Sequence, residues 1–405
     1  MARSDINQST YMEGQKIKIK IFSFVLSMVT LLGPLASQAT ASELLKPIPQ
    51  ESGYSGFVRL GLGRLGYASN VVAATPHLKF FRDLELSQKV NSIPLNSPPK
   101  TVTAFPVTII PFEVAYTAAD TRSQFFIGTE PLELLRFDHF LRLGVKQGIS
   151  NLGDLEVGLL LNHVPTKVWQ DPLKTGDRRN KDMHGPEFNI RRIAKREVVG
   201  NGYILGLNRV FGTGLGLRYT QKEVSVYQDR NGDHLFCGPD PDGPGMLCGE
   251  FEITPAEYDV LMKRDGTTLR IAAAYRIDLP GGHTLQPGLA YTKNHLSGHA
   301  MSSNAWDFKL AYACEVPGNP LSFEGSAYLG WADYDTENPV FDKTQKDSRR
   351  GIQATLFYEN PWGWAPPGGK PMKFFVGVDY ADIDANIDFY DQRASLWTAG
   401  VLLKW

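Results

Sequence analysis

The last ten residues of the chain, 396–405, alternate between apolar and mixed side chains with a period of two. One face of this segment is apolar and carries Trp397, Ala399, Val401, Leu403 and Trp405. An apolar face that ends on an aromatic residue is typical of the closing strand of an outer-membrane β-barrel. An ordinary half-buried strand in a soluble sheet shows the same alternation, so this segment alone leaves both folds open.

The same alternation recurs along the chain and predicts fourteen strands. The predicted strands are residues 53–64, 109–116, 123–128, 137–147, 155–162, 201–210, 215–227, 268–279, 284–296, 303–315, 321–334, 350–359, 372–382 and 393–405. Mostly short turns alternate with mostly long polar loops, which include residues 66–105, 169–200 and 228–266. This pattern predicts an all-β fold, a single antiparallel transmembrane barrel with short periplasmic turns and long extracellular loops. Residues 123–128 have the weakest pattern, and without their hairpin the count is twelve.

A secretion signal precedes the predicted strands. Basic residues at 16–20 are followed by an apolar run at 21–32 and by small residues that end at Ala41. This order is that of a signal peptide cleaved after Ala41, and the apolar run is short for a membrane anchor. Residues 1–11 look superfluous, which leaves Met1 and Met12 as alternative starts of translation. We therefore expect a periplasmic lead-in at 42–52 and a barrel at 53–405, in the outer membrane of a Gram-negative bacterium.

The near-neutral charge of the chain argues against a nucleic-acid partner. The sequence holds 42 Lys and Arg residues against 43 Asp and Glu residues, without the basic excess of nucleic-acid-binding proteins. Among three cysteines, Cys237 and Cys248 flank a short Gly/Pro-rich stretch. We predict that these two form a disulfide, since disulfides persist in exported proteins. Cys314 is then left as a single buried or lipid-facing thiol, and no cofactor is predicted.

Charged residues on the inward-facing side of the strands are candidates for ion selectivity. The principal candidates are Arg59, Arg142, Lys146, Glu156, Arg218, Arg270, Arg276, Lys309, Glu324 and Lys373. The same alternation also places inward Glu113, Lys222, Asp278, Asp307, Asp379 and Lys404. Basic residues outnumber acidic ones in this set, which predicts a porin-like passive channel for small hydrophilic solutes with a weak anion preference. For any single residue, the alternative is that it pairs across strands and stabilises the barrel wall.

Aromatic and acidic residues in the predicted loops are candidates for a binding patch at the mouth. They are Trp169, Asp171, Phe341, Asp342, Phe389, Tyr390 and Asp391. A non-conducting barrel that binds a partner through these loops is the alternative function. The same residues also suit a small core that packs the loops against each other, and this second interpretation is favoured.

The third predicted long loop contains a weak calcium-binding pattern. Asp229, Asn231, Asp233 and Asp240 have the spacing of calcium ligands, but His234 stands where a calcium loop requires glycine. A polar turn is favoured there, with a weakly bound Ca²⁺ as the alternative, and no metal site is predicted.

One strand offers the elements of a lipase-like site. His295 and Ser297 share a strand face and Asn304 follows near the next strand, which matches the types of residue in a serine hydrolase. The neighbouring residues of the outer-membrane phospholipase motif are missing. We expect that the chain is not an enzyme, with a lipase-like site at His295 and Ser297 as the least favoured alternative.

Four segments resemble the domain-of-unknown-function 2860 family of proteobacterial outer-membrane proteins. They are QESGYSG at 50–56, VWQDP with TGDR at 168–178, NPVFDK at 338–343 and NIDFYD at 386–391. The resemblance covers residues 50–405 and implies a β-barrel in the outer membrane without an established activity. The cysteine-bearing insert near 229–250 and the basic stretch 178–196 depart from the family pattern. The expected partners are outer-membrane lipid, an unknown small solute, and the barrel assembly machinery, which would recognise Trp397, Val401, Leu403 and Trp405.

Overall fold

Alternating side chains produce long antiparallel strands through most of the chain. The computed structural model describes residues 47–76, 83–85, 97–130, 139–164, 167–169, 172–173, 195–226, 237–239, 246–248, 260–360, 362–366 and 368–405. The predicted signal peptide, Asp171 and the candidate calcium ligands lie outside these residues. No helix among the described residues is long and apolar enough to cross a membrane.

Fourteen strands form one closed antiparallel barrel. They are β1 (Gly53–Ala68), β2 (Val102–Ile109 and Phe112–Ala118), β3 (Ser123–Glu130), β4 (His139–Ile149), β5 (Gly153–Val164), β6 (Asn201–Asn208), β7 (Leu215–Val226), β8 (Gly266–Tyr275 and Ile277–Leu279), β9 (His283–Leu296), β10 (Ser303–Glu315), β11 (Leu321–Asn338), β12 (Lys343–Glu359), β13 (Lys373–Ala385) and β14 (Gln392–Lys404). Each strand pairs with the next along the chain. The predicted strand count of fourteen is confirmed, and so is the hairpin of β3.

The C-terminal strand closes the barrel against the first strand. Leu62 lies opposite Ala399 in an antiparallel ladder that runs from Phe57 to Ala68 along β1. Gly56 and Trp405 exchange backbone hydrogen bonds of 3.0 and 3.1 Å, which extends the ladder to the last residue. Closure leaves no unpaired edge, and an unpaired edge would be costly in a membrane.

Several strands run further than their apolar pattern predicts. β11 continues to Asn338 instead of ending at 334, and β12 begins at Lys343 instead of 350. The added part is polar on both faces, with Asp333 opposite Lys346 and Glu337 opposite Thr344. Hydropathy alternation cannot mark such a segment, because it has no apolar face.

Strands also form within the predicted long loops, and those of the first two loops pair with each other. Val72–Pro76 pairs with Asp83–Glu85 and with Lys167–Trp169, and Lys167–Trp169 pairs with Lys195–Val199. These strands join the connections after β1 and β5 into a small sheet at the end of the barrel opposite the short turns. We call the two ends of the barrel the long-loop end and the short-turn end.

The predicted disulfide has a suitable backbone register. Cys237 and Cys248 lie directly opposite each other in a two-stranded antiparallel ladder. Opposed Cα atoms in such a ladder are ~4.5–5.5 Å apart, within the range of disulfides. We expect thiol labelling of the unfolded chain to modify Cys314 alone without reductant, and all three cysteines after reduction. Labelling of Cys237 and Cys248 before reduction would contradict the prediction.

Candidate functional site

The outer face of the barrel is apolar between two levels of aromatic side chains. Leu62, Ile271, Leu329 and Val376 are among the large apolar residues exposed on this face. The aromatic residues near the strand ends are Tyr116, Tyr219, Tyr275, Tyr291, Trp306, Tyr312, Trp331, Tyr358, Trp397 and Trp405. Some of them contact across strands, as Tyr291 and Trp306 do with ring centroids 4.9 Å apart. An apolar band between aromatic belts is the surface expected where a barrel contacts lipid.

The inner face carries the charged residues, most of which pair with one another. The pattern places nine of the ten principal candidates on this face, and Arg276 lies at the short-turn mouth. Lys309 shares the inner face of β10 with Asp307 and is half-buried. The remaining candidates fall into three groups of contacts within the barrel and one at its short-turn end.

The first group surrounds Glu156 on β5. Its carboxylate lies 3.4 Å from Arg218 Nη2, 3.8 Å from Arg142 Nη1 and 4.0 Å from Lys146 Nζ. Arg142 also bonds to Glu113 on β2. Arg142 and Lys146 both lie over the ring of Phe126, at 5.1 and 5.4 Å from its centroid. Glu156 is buried, so this group ties strands β2 to β7 together from the inside.

The second group is centred on Asp307 on β10. Arg270 Nη1 on β8 lies 3.4 Å from its carboxylate, and Arg349 Nη1 on β12 lies 3.2 Å from it. The Arg349 side chain crosses β11 at Gly330. A Cβ atom at Gly330 would lie 2.6 Å from the backbone oxygen of Trp306 and would also meet the Asp307 carboxylate. Glycine is therefore required there for Arg349 to reach Asp307.

The third group holds Arg59 between two aromatic rings. Its guanidinium carbon lies 5.1 Å from the ring centroids of both Phe357 and Phe375. Arg59 Nη2 is also 3.9 Å from the carboxylate of Glu324. Stacking and ion pairing both favour this guanidinium, which lets it remain buried on the wall.

The short-turn mouth contains the last contacts and a cavity. Lys373 Nζ bonds to Glu315 at 2.6 Å, and Arg276 pairs with Asp278 at 2.7 Å. Arg276 and Asp278 also line a cavity of about 820 Å³ whose other walls are residues 47–50 and the turn from β6 to β7. Residues 47–50 precede β1, and the β6–β7 turn belongs to the far side of the strand circle. We infer that residues 47–50 extend across the short-turn mouth.

A hydrophobic cluster joins the connections at the long-loop end, and we call it the loop core. It consists of Leu173, Met262, Ala300, Met301, Val340, Ala385, Ile387, Phe389 and Tyr390. Apart from Ala385 on β13, these residues come from the connections after β5, β7, β9, β11 and β13. Strands β5 to β13 span more than half of the barrel circumference, so a cluster shared by their loops extends over the mouth.

Hydrogen bonds fix the loops around this core. Asn70 Nδ2 donates to the backbone oxygen of Phe389 at 3.2 Å, and Asn338 Nδ2 donates to the Tyr390 hydroxyl at 3.0 Å.

Burial raises the pKa of Tyr390 to about 12, so its hydroxyl stays neutral at physiological pH. Burial also raises the pKa of Asp391 above its usual range. The protonated form of Asp391 therefore favours the folded loop, and this contribution falls as the pH rises through the raised pKa.

The loop residues singled out from the sequence are mostly internal. Trp169 and Phe389 are buried, Tyr390 is nearly so, and Phe341 lies 5.8 Å from Phe389 between ring centroids. Asp342 is exposed, at a left-handed φ of 50° in the turn between β11 and β12. Phe341, Phe389 and Tyr390 come together, whereas Trp169 packs against Ala73. These aromatic side chains therefore form the interior of the loops and do not make an exposed patch.

The lipase-like residues lie on the outer face of β9 and in its following loop. His295 and Ser297 are both exposed. The Asn304 side chain accepts from the Tyr291 hydroxyl at 2.6 Å and donates to Asp335 at 2.8 Å. Both of its polar atoms are thus engaged by residues other than His295.

Sequence reasoning missed some inward charges, among them Arg349, Asp347 and Asp154. Arg349 and Asp347 precede the predicted start of β12, and Asp154 lies in a predicted turn. Continuing the period of two backwards from Gly351 would have found Arg349 and Asp347 on the inner face. With these residues added, the inner face of the described strands is closer to charge balance than the sequence suggested.

A model of a family described as "Protein of unknown function (DUF2860)" matches residues 53–237 and 251–404. The gap between the matches falls within the cysteine-bearing insert. No protein in the curated comparison matched the chain.

Solved outer-membrane barrels resemble the chain in structure. A Pseudomonas aeruginosa FadL homologue is 10% identical, with 92% of this chain and 95% of that chain covered and a TM-score of 0.39. The CymD monoaromatic hydrocarbon channel is 8% identical, with the same coverages and a TM-score of 0.42. OmpT of Vibrio cholerae is 9% identical, with 89% and 100% covered and a TM-score of 0.35. Identities and scores this low assign no function to this chain.

Proposed function

The chain belongs to the DUF2860 family of proteins of unknown function, and from this premise we propose that it is a passive outer-membrane channel for small hydrophilic solutes. The apolar outer face with its aromatic belts supports placement in a membrane. The short turns then face the periplasm and the loop core faces the exterior. Passage is narrow, because the loop core lies over one mouth and residues 47–50 lie at the other.

The charged inner wall is the observation that carries this proposal. Charged side chains project inward from strands on all sides of the barrel, and charges that line an aqueous lumen cost far less to keep than charges in an apolar interior. Their pairing lets them remain charged at low exposure. A polar wall of this kind suits hydrated solutes and is unsuited to storage of apolar ones.

Among the inward arginines within the barrel, Arg270 is the best placed to meet a passing solute. Its side chain is 37% exposed, whereas those of Arg59 and Arg142 are 6% and 5% exposed. A charge that retains contact with lumen water acts on permeating ions, whereas a buried charge acts mainly on its partners. The weak anion preference therefore depends on Arg270 more than on the buried Arg142 and Lys146.

Reversing Arg270 should change the ion selectivity of the channel. A unit charge ~8 Å from an ion in water changes the energy of that ion by about 0.5 kcal/mol, so reversing one charge raises the energy of chloride by about 1 kcal/mol and lowers that of potassium by the same amount. Arg270→Glu should therefore lower the chloride-to-potassium permeability ratio about thirtyfold at low salt, and by less where salt screens the charge. The measurement is the reversal potential of single channels in a KCl gradient. Lys293→Glu, on the outer face, makes the same charge change and should leave the ratio unaltered. Equal ratios in all three proteins would refute Arg270 as the selectivity residue, and a folded barrel that never conducts would refute the channel.

A further inference from the structure

Two arginines on the outer face enclose one carboxylate. Asp382 of β13 lies directly opposite Arg350 of β12 on one side and Arg393 of β14 on the other. All three share the strand face of exposed residues such as Ile352, Val376 and Trp397. We call these three residues the outer triad.

The contacts of the outer triad hold both guanidinium groups in place. Arg350 Nε donates to Asp382 Oδ2 at 2.9 Å, and its Nη2 lies 2.7 Å from the same oxygen. Arg393 Nε donates to Asp382 Oδ1 at 3.0 Å. The Asp382 side chain is 4% exposed, whereas those of Arg350 and Arg393 are 59% and 60% exposed. Both oxygens of the buried carboxylate thus accept hydrogen bonds from the two arginines, whose guanidinium groups are held in place and exposed on the outer face.

The outer triad and its neighbours carry a net positive charge. One carboxylate cannot neutralise two arginines, so the triad carries one net positive charge. Arg64 of β1 is exposed on the same face beside Trp397. Asp384, two residues beyond Asp382, is exposed and adds one negative charge above the triad. Positive charge therefore predominates on the side of the triad that is nearer to Arg64 and Trp397, and the negative charge of Asp384 lies on the side nearer to the long loops.

The triad lies at the level where a lipid headgroup would be. Each member of the triad lies closer to the long-loop end than an apolar or aromatic residue on the same face of its strand. Arg350 is two residues from Ile352, Asp382 is two residues from Tyr380, and Arg393 is four residues from Trp397. Aromatic belts mark the boundary between acyl chains and headgroups. The triad is therefore just outside the apolar band at the long-loop end, which the proposed orientation places in the outer leaflet.

We propose that the outer triad binds a phosphate group of a phosphorylated glycolipid of the outer leaflet, of the lipid A class. Guanidinium groups bind phosphate through paired charge-assisted hydrogen bonds. Asp382 orients both groups before the lipid arrives, which reduces the entropy lost on binding. The proposal rests on the membrane orientation given above but does not depend on conduction.

Lipid titration of the purified barrel in detergent, followed by native mass spectrometry, tests the proposal. The probes are lipid A with both phosphates and the same lipid A with the phosphates removed. Arg350→Gln with Arg393→Gln should weaken binding of phosphorylated lipid A by about tenfold or more, since charge-assisted bonds are lost at two sites. Arg209→Gln with Lys293→Gln removes two exposed cations elsewhere and should leave the affinity unchanged.

Asp382→Asn provides a second, independent variant. It removes the competing negative charge but leaves one acceptor oxygen to orient two guanidinium groups. These two effects oppose each other, so its affinity for phosphorylated lipid A should stay well above that of the double arginine variant. Loss of binding in Asp382→Asn, equal affinity in the double arginine variant, or equal binding of dephosphorylated lipid A would each overturn the proposal. A barrel that binds phosphorylated lipid A but does not conduct would refute the channel and leave the triad site standing.

Discussion

Phe389→Ala is expected to open the long-loop mouth and to raise the fraction of time the proposed channel conducts. Phe389 is buried in the loop core and contacts Phe341 and Tyr390, with ring centroids 5.8 and 5.2 Å from its own. Removing a buried Phe side chain costs ~3–5 kcal/mol. The strands below keep their backbone ladders, so the cost falls on the closed arrangement of the loops. Single-channel recording should show longer or more frequent openings, and hydrogen exchange should rise in residues 386–391.

Phe308→Ala is the matched control for this variant. Phe308 is exposed on the outer face of β10, so the same atoms are removed without any change in the loop core. Its openings should match those of the parent barrel. If Phe389→Ala loosened residues 386–391 in hydrogen exchange while conductance stayed the same, the loop core would not be what limits passage.

Glu156→Gln is expected to destabilise the barrel wall more than any other change of a single inward charge. The substitution keeps the size of the side chain but leaves Arg142, Lys146 and Arg218 around a neutral group. Removing one partner from a buried ion pair costs ~3–5 kcal/mol, because the remaining charges stay out of water. The measurement is the urea concentration at which the folded, heat-modifiable form is lost on electrophoresis, and it should fall clearly below that of the parent.

Two further variants separate the network from a general charge effect. Glu223→Gln changes an exposed residue on the outer side of β7 and should shift the urea midpoint little. Lys146→Met combined with Glu156→Gln removes one of the stranded cations and should recover part of the loss. A Glu156→Gln barrel as resistant to urea as the parent would mean that the three cations have other sufficient partners.

The number of strands and the inward or outward side of their residues could be predicted from the local alternation of apolar and polar residues. The predictions failed where the two faces of a strand have similar polarity. β3 has the weakest pattern of the predicted strands, yet it pairs with β4 over its whole length and with β2 from Ser123 to Gly128. The polar ends of β11 and β12 were missed because neither face is apolar there, and Arg349 was lost with them. The apolar alternation reports on lipid contact, so it fades where the strands rise above the membrane.

The roles of the loop aromatics depended on contacts that no local pattern contains. Phe389 and Val340 are distant in sequence from Leu173 and Met262, but all four meet in the loop core. The local sequence around a Trp or Phe beside an acidic residue is the same whether the aromatic side chain is exposed to bind a partner or buried beneath another loop. Burial distinguishes the two, and it is set by the folding of several connections together.

The sequence by itself determined that this chain forms a closed barrel, with known faces and a C-terminal strand that pairs with the first. The physical reason is that a period of two assigns each side chain to one face, whatever its distant neighbours are. Only the tertiary structure decided which charges pair, as when Arg349 reaches Asp307 over Gly330, and which paired charges remain partly exposed, as Arg270 does. Those outcomes depend on strand register and on the space that small residues leave, and both are properties of the assembled wall.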